Sequence, residues 1–343
     1  MKQNKLYNLF LLAIFLCLTT FSMAQQLGKW ISLNSLPSPR SDCAAVVVNT
    51  TIYVLGGYAY TTTPYPVLRT TIKPDGSLTS WVQESTQMIV PRTACVAVYS
   101  NGYIYAISGG AILTAGDNTT AERAQINPDG SLGVWSTISI LPKEFVRSAW
   151  VQTTAFVYLL GGYSGTTDVW RVSLNPDGTM VTWQLMSSHF DIQRYGAQAA
   201  LVDNYIFLNG GTDLLTVTDT GTTLRALLYP DGNLGPWTII NRPNGHYSGM
   251  AAYVGSYFYL IGGSLVGDPN YHTEKMHIKP DYSLDTEEPG PNLNNDRQDF
   301  AYVQTPKGIY VIGGWAGSDM SSVEYAPILG FTGIERKQWE IFE

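Results

Sequence analysis

Charge is scarce in this chain. Asp, Glu, Lys and Arg make up 14% of its 343 residues, where an average globular protein carries about a quarter. Basic residues are the scarcer sign, with 20 Lys and Arg against 27 Asp and Glu. No nucleic-acid partner is expected, because binding phosphates needs a basic surface. There are 4 histidines and 3 cysteines. In "YHTEKMH", His272 and Glu274 share one face of a strand while His277 points away, so no metal and no cofactor are expected. Nucleophile elbows and Cys–His arrangements are missing. Long apolar runs are missing too, apart from one near the start, so no membrane span is expected.

That one run, "LFLLAIFLCL", follows Lys2 and Lys5 and precedes a small-x-small site at Ser22 and Ala24. A charged start, a short apolar core and such a site make a secretory signal peptide over residues 1–24, cut before Gln25. Leu16 before Cys17 does not suit a lipoprotein signal. A secreted or extracytoplasmic, soluble chain is expected, in the periplasm or at the cell surface. Without Lys2 and Lys5 the count is 18 basic against 27 acidic residues, a net charge of −9.

Gly, Tyr and Trp are abundant by contrast, which suits a β-rich protein more than a helical one. An aromatic, a short aliphatic run and a Gly-Gly occur six times: "YVLGGY" at 53–58, "YAISGG" at 105–110, "YLLGGY" at 158–163, "FLNGG" at 207–211, "YLIGGS" at 259–264 and "YVIGGW" at 310–315. Counted from the first glycine of each pair (Gly56, Gly109, Gly161, Gly210, Gly262, Gly313), the gaps are 53, 52, 49, 52 and 51. A period near fifty in β-type residues points to propeller blades.

Other features recur in phase. An arginine stands 13 residues before the repeat aromatic at Arg40, Arg92, Arg194 and Arg297. Phe145 takes that place in the third repeat, with Arg147 two positions on and on the same face of a strand, and His246 takes it in the fifth. A turn such as "IKPDGSLTSW" or "INPDGSLGVW" follows four of the pairs. Pro, Asp and Gly there supply hairpin chemistry. Its Trp (Trp81, Trp135, Trp183, Trp237) reads as packing between blades. Ala45, Ala97, Ala199 and Ala251 lie on a crowded first strand, while Trp150 and Tyr302 break that pattern and line or fill the channel.

Each unit thus reads as four strands. The sixth lacks a turn and Trp, while "QLGKWISLNSLP" near the start aligns with the fourth strand of the second repeat, Trp30 matching Trp135. The N-terminal strand is expected to complete the last blade and close the ring. The fifth repeat has Tyr282 for the turn Gly and Glu287 for the Trp. Its prolines, Pro289 and Pro291, shorten the fourth strand. Residues 25–330 then form the propeller and 331–343 a tail.

Together these residues resemble the kelch family over nearly all of residues 25–330. The "PDGSL…W" turn gives the chain the flavour of exported bacterial kelch-repeat proteins. The resemblance implies an all-β, six-bladed β-propeller of four-stranded kelch blades. It also implies that the repeat arginine lies near one mouth of the central channel. Equivalent first strands of adjacent blades stand too far apart for a disulfide, so Cys43 and Cys95 read as buried thiols; an exported location keeps pairing open.

Arg40, Arg92, Arg147, Arg194, Arg297 and His246 are the candidate binding residues of that mouth, fitted to carboxylate or sulfate. The alternative is that each arginine caps loop carbonyls or pairs with a local acid such as Asp42 or Asp299. Tyr58, Tyr163 and Trp315 follow Gly-Gly pairs and suit stacking on a sugar or a peptide. The leading functional reading is a monomeric, non-catalytic scaffold for a protein or glycan, acidic ligands included. The second is an enzyme acting on sugar acids, resembling kelch-type sialic acid mutarotases. A purely structural surface repeat protein is the third.

Overall fold

A computed structural model describes residues 25–330 except 59–65, 112–117, 164–166, 217, 242–246, 266–267 and 271. Residues 1–24, the tail 331–343 and His246 lie outside the described residues. Among the described residues there is no helix long and apolar enough to cross a membrane.

Six antiparallel sheets stand around a central axis. Blade one runs outward through Ala44–Val48, Thr51–Leu55, Leu68–Thr71 and Val82–Gln83. The other blades repeat this order from innermost strands Val96–Ser100, Ala149–Gln152, Gln198–Val202, Met250–Val254 and Ala301–Thr305. The chain is an all-β, six-bladed propeller. In blade five the outermost strand is Glu288–Pro289, two residues long; Val82–Gln83 and Gln184–Leu185 in blades one and three are as short without prolines, so proline is not what limits it.

The N-terminal strand closes the ring. Ile31–Leu33 pairs antiparallel with Val323–Leu329, the third strand of blade six. Gln26–Leu27 pairs farther along the same strand. Trp30 is buried and its indole N–H donates to Pro291 O at 2.8 Å.

Apolar side chains gather in six clusters, each between two consecutive blades. The repeat tryptophans lie in them: Trp30 between blades five and six, Trp81 between six and one, Trp135, Trp183 and Trp237 between the next three pairs. The repeat tyrosine does more than fill space. Its hydroxyl donates to the turn glycine of the next blade: Tyr53 to Gly130 O at 2.6 Å, Tyr105 to Gly178 O at 2.9 Å, Tyr158 to Gly232 O at 2.7 Å, Tyr310 to Gly76 O at 2.9 Å. Between blades four and five this clasp is rebuilt. Phe207 has no hydroxyl, and the turn residue is Tyr282, whose ring packs at a tilt on Tyr205 at 4.5 Å and whose hydroxyl donates to Asp203 Oδ2 at 2.9 Å.

The Gly-Gly also serves the next blade. The Gly57, Gly162, Gly263 and Gly314 N–H groups donate to Arg92, Arg194, Arg297 and Arg40 O at 2.9–3.0 Å. A Cβ on Gly161 or Gly313 would lie 2.5 Å from those carbonyls, so only glycine fits. Blade two corrects the count from the sequence. There Ser108 (φ +52°) takes the first glycine's place and Gly109 the second's, with Gly109 N–H donating to Phe145 O.

Removing residues 25–33 is expected to lower the melting temperature of the whole ring in a thermal unfolding scan. Trp30→Ala alone is expected to cost about 3–5 kcal/mol. Unchanged melting of the deletion would show that blade six needs no N-terminal strand.

Candidate functional site

One residue from each blade meets its neighbours at one end of the channel. Asp42, Ala94, Arg147, Gly196, Ser248 and Asp299 each stand two residues after the repeat arginine position, and all have φ between +49° and +67°. Each donates its N–H to the carbonyl of the preceding blade's member. The bonds run Asp42 to Asp299 at 2.7 Å, Ala94 to Asp42 at 2.7 Å, Arg147 to Ala94 at 3.3 Å, Gly196 to Arg147 at 3.0 Å, Ser248 to Gly196 at 2.7 Å and Asp299 to Ser248 at 2.8 Å. They form a closed circle. Five of its residues are not glycine, and the left-handed conformation costs each about 1–2 kcal/mol, so the circle offsets local strain with inter-blade bonds.

Arg147 crosses this circle. Its Nε and Nη2 donate to the Asp42 carboxylate at 3.0 and 2.7 Å. Nη2 also lies 3.0 Å from Asp299 Oδ2, on the opposite blade, and Nη1 reaches Ser248 Oγ at 3.4 Å. Left-handed φ at Arg147 turns its side chain toward the axis, so it does not stand in for the missing arginine at Phe145. Beneath it lies a cavity of about 120 Å³, lined by Ala45, Ala97, Ala199, Trp150, Tyr302 and Gln198 among others. Burial and the neighbouring Asp299 push the Asp42 carboxyl up to about 6, against the pull of Arg147. Burial opposes the charge of Arg147, but Asp42 and Asp299 outweigh it and hold the guanidinium protonated.

The other arginines are elsewhere. Arg40, Arg92, Arg194 and Arg297 are at most 1% exposed, inside blades rather than around the mouth. Each donates Nη1 to the carbonyl of the residue at the first-glycine position and to the start of the third strand. For Arg194 these are Gly210 O at 2.8 Å and Thr222 O at 3.1 Å; for Arg297, Gly313 O at 2.9 Å and Ser322 O at 3.3 Å. Arg92 and Arg297 also pair with buried Glu122 and Glu324. Arg194 has no such carboxylate among the described residues, and burial lowers its pKa to about 10. The loop-carbonyl alternative describes all four, and the basic ring of the sequence reading does not form from them. Phe145 instead packs between Trp170 and Trp183.

Aromatics surround the circle. Tyr58 and Tyr163 are exposed, at 39% and 60%, and Trp315 is half-buried. Backbone pairing sets Tyr58 beside Ser41 and Trp315 beside Gln298, next to Asp42 and Asp299. Tyr163 meets Tyr195 edge-on at 5.9 Å, and the Arg147 guanidinium lies 5.5 Å from the Tyr195 ring. On the sequence alone, Asp42 and Asp299 enter only as examples of local acids with which the repeat arginines could pair. Their shared spacing was the available signal, but a channel-facing turn of Asp, Ala, Arg, Gly, Ser and Asp has no side-chain pattern to betray it. Cys43 and Cys95 are buried, unpaired thiols, and burial pushes them up to about 11 and about 12.

A Kelch motif model matches residues 39–65, which span the first arginine and the first Gly-Gly. The chain is also similar to kelch repeat and BTB domain-containing protein 1 of horsepox virus, cowpox virus and vaccinia virus. Identity to each is 25% over 233 residues, covering 64% of this chain. It spans 36% of the length of those relatives. With blades, clasps and Arg/Gly-Gly seams in place, these matches support one class, the kelch-repeat β-propellers.

Two outcomes are expected from variants here. Arg194→Ala removes the donor for Gly210 O and Thr222 O inside a sealed blade and should destabilise by about 3 kcal/mol, read in denaturant titration; a neutral effect would place those carbonyls in contact with water. For Asp42 the folded chain holds the proton to about pH 6, while an unfolded chain releases it near 3.9. The folded state binds more protons between these values, so this group's contribution to stability falls as pH rises from 4 to 6. Asp42→Asn should therefore gain stability relative to the parent across that window; parallel pH profiles would refute the assignment.

Proposed function

We propose that this propeller is an exported, monomeric, non-catalytic scaffold that presents the channel-mouth face to a protein partner. The carrying observation is the crown of Tyr58, Tyr163, Tyr195 and Trp315 around a mouth already sealed by Arg147, Asp42 and Asp299. Rigid aromatics with one polar end supply large contact area at low ordering cost. The closed circle of hydrogen bonds ties their blades to one another. Kelch propellers as a class suit protein binding, and the signal-like residues 1–24 support export. A glycan is the second candidate for the same crown, since sugar rings stack on exposed tyrosines such as Tyr163. The reasons for an acidic ligand and for a sugar-acid enzyme weaken together, because the four arginines that motivated both are committed inside blades.

Screening the purified chain against a displayed peptide library and a glycan array, with binders mapped by hydrogen exchange, tests the reading. Peptide binders are expected to protect the segments around Ser41–Tyr58 and Gln298–Asp319 and to lose at least tenfold in affinity in the Tyr58→Ala, Tyr163→Ala double variant. Binders that map to the outer strands, or retention of glycans alone, would overturn it.

A further inference from the structure

At the side of the mouth formed by blades six and one, negative charge exceeds positive. Asp42 and Asp299 share the single guanidinium of Arg147. Asp319 is held close by a tight turn in which it pairs with Trp315. Three carboxylates thus face one cation among the described residues.

Two acceptors there also lack donors. Gln298 is 8% exposed. Its amide N–H donates to Asp299 Oδ2 at 3.0 Å, which fixes the amide head at the carboxylate pair. Its Oε1 is buried and accepts no hydrogen bond among the described residues, and neither does the buried Oδ1 of Asp319. Buried acceptors are nearly always paired, and leaving one unmade costs about 1–3 kcal/mol. What is missing is a donor, and beside three carboxylates the fitting donor carries positive charge. Trp315 lies in backbone register with both orphan-bearing residues, and tryptophan is the best aromatic partner for a cation.

We infer that this side of the mouth binds a Lys or Arg side chain of a partner polypeptide, set between Asp319, the Gln298 carbonyl and the Trp315 ring. The inference rests on the mouth being the binding face. Burial raises the Asp42 carboxyl most, and Asp299 and, more weakly, Asp319 push it further up, in keeping with surplus negative charge here. Arg147 answers the first two carboxylates from within the chain. The partner's cation answers the third and the orphan acceptors, so the preference is opposite to the acidic one expected from the repeat arginines.

The test titrates the purified chain with peptides selected from a displayed library, each remade with Lys, Gln or Glu at its most enriched position. Lys or Arg is expected at that position, Gln should weaken binding about tenfold, and Glu more. Binding should weaken further between 50 and 500 mM salt. Asp319→Asn should cost the Lys peptide about tenfold and leave the Gln peptide unchanged, with an unaltered melting temperature confirming the fold. Trp315→Leu should reproduce the selective loss if the turn does not tolerate the first variant. Selected peptides that are acidic or neutral, or a Lys peptide indifferent to both variants, would overturn this inference while leaving the binding face intact. Retention of no peptide at all would overturn both.

Discussion

Six peptide hydrogen bonds around the axis govern this structure. Two residues before each blade's innermost strand, one residue is forced into left-handed backbone so that its N–H reaches the preceding blade. A sheet alone would leave those groups unpaired at a crowded point where water cannot serve all six. Closing them on one another fixes the spacing of the strands, and that spacing sets how near a Gly-Gly must come to the next arginine's carbonyl. The glycines, the arginines and the tyrosine clasps are successive answers to the same demand for neighbouring blades to stay in contact from axis to rim.

The scarcity of basic residues has a structural side. Four arginines are sealed in blades, where each ties the turn after the second strand to the start of the third. Others, such as Arg123 and Arg171, lie over Tyr103 and Phe156 and reach the next blade's turn. Cations used as internal brackets are withdrawn from the surface, and the acids at the mouth are left with Arg147 as their partner. The electrostatic character of the channel mouth thus follows from how the repeat is held together.

The fold was legible because each blade depends on residues that cannot be exchanged freely. Gly161 meets a carbonyl, Trp135 fills a seam, and the turn Asp129 accepts from both N–H and Oγ of Ser131. Such constraints leave a period in the sequence. The site was less legible for the same reason. A residue that recurs in every blade tends to serve the blade, and Arg40, Arg92, Arg194 and Arg297 do so. What distinguishes the mouth is the non-recurring set: Arg147 in one blade, Asp42 and Asp299 in two others. Ser108 shows the limit of counting by letter, since a serine with φ +52° occupies a glycine's place and shifts the ruler by one.

Blade six is built from both ends of the chain, with Ile31–Leu33 paired to Val323–Leu329. During synthesis the early strand has no partner until the last blade emerges, so the circle of axial bonds cannot be completed on a partial chain. A ring that closes last stays open, and therefore threadable, for as long as its chain is being made.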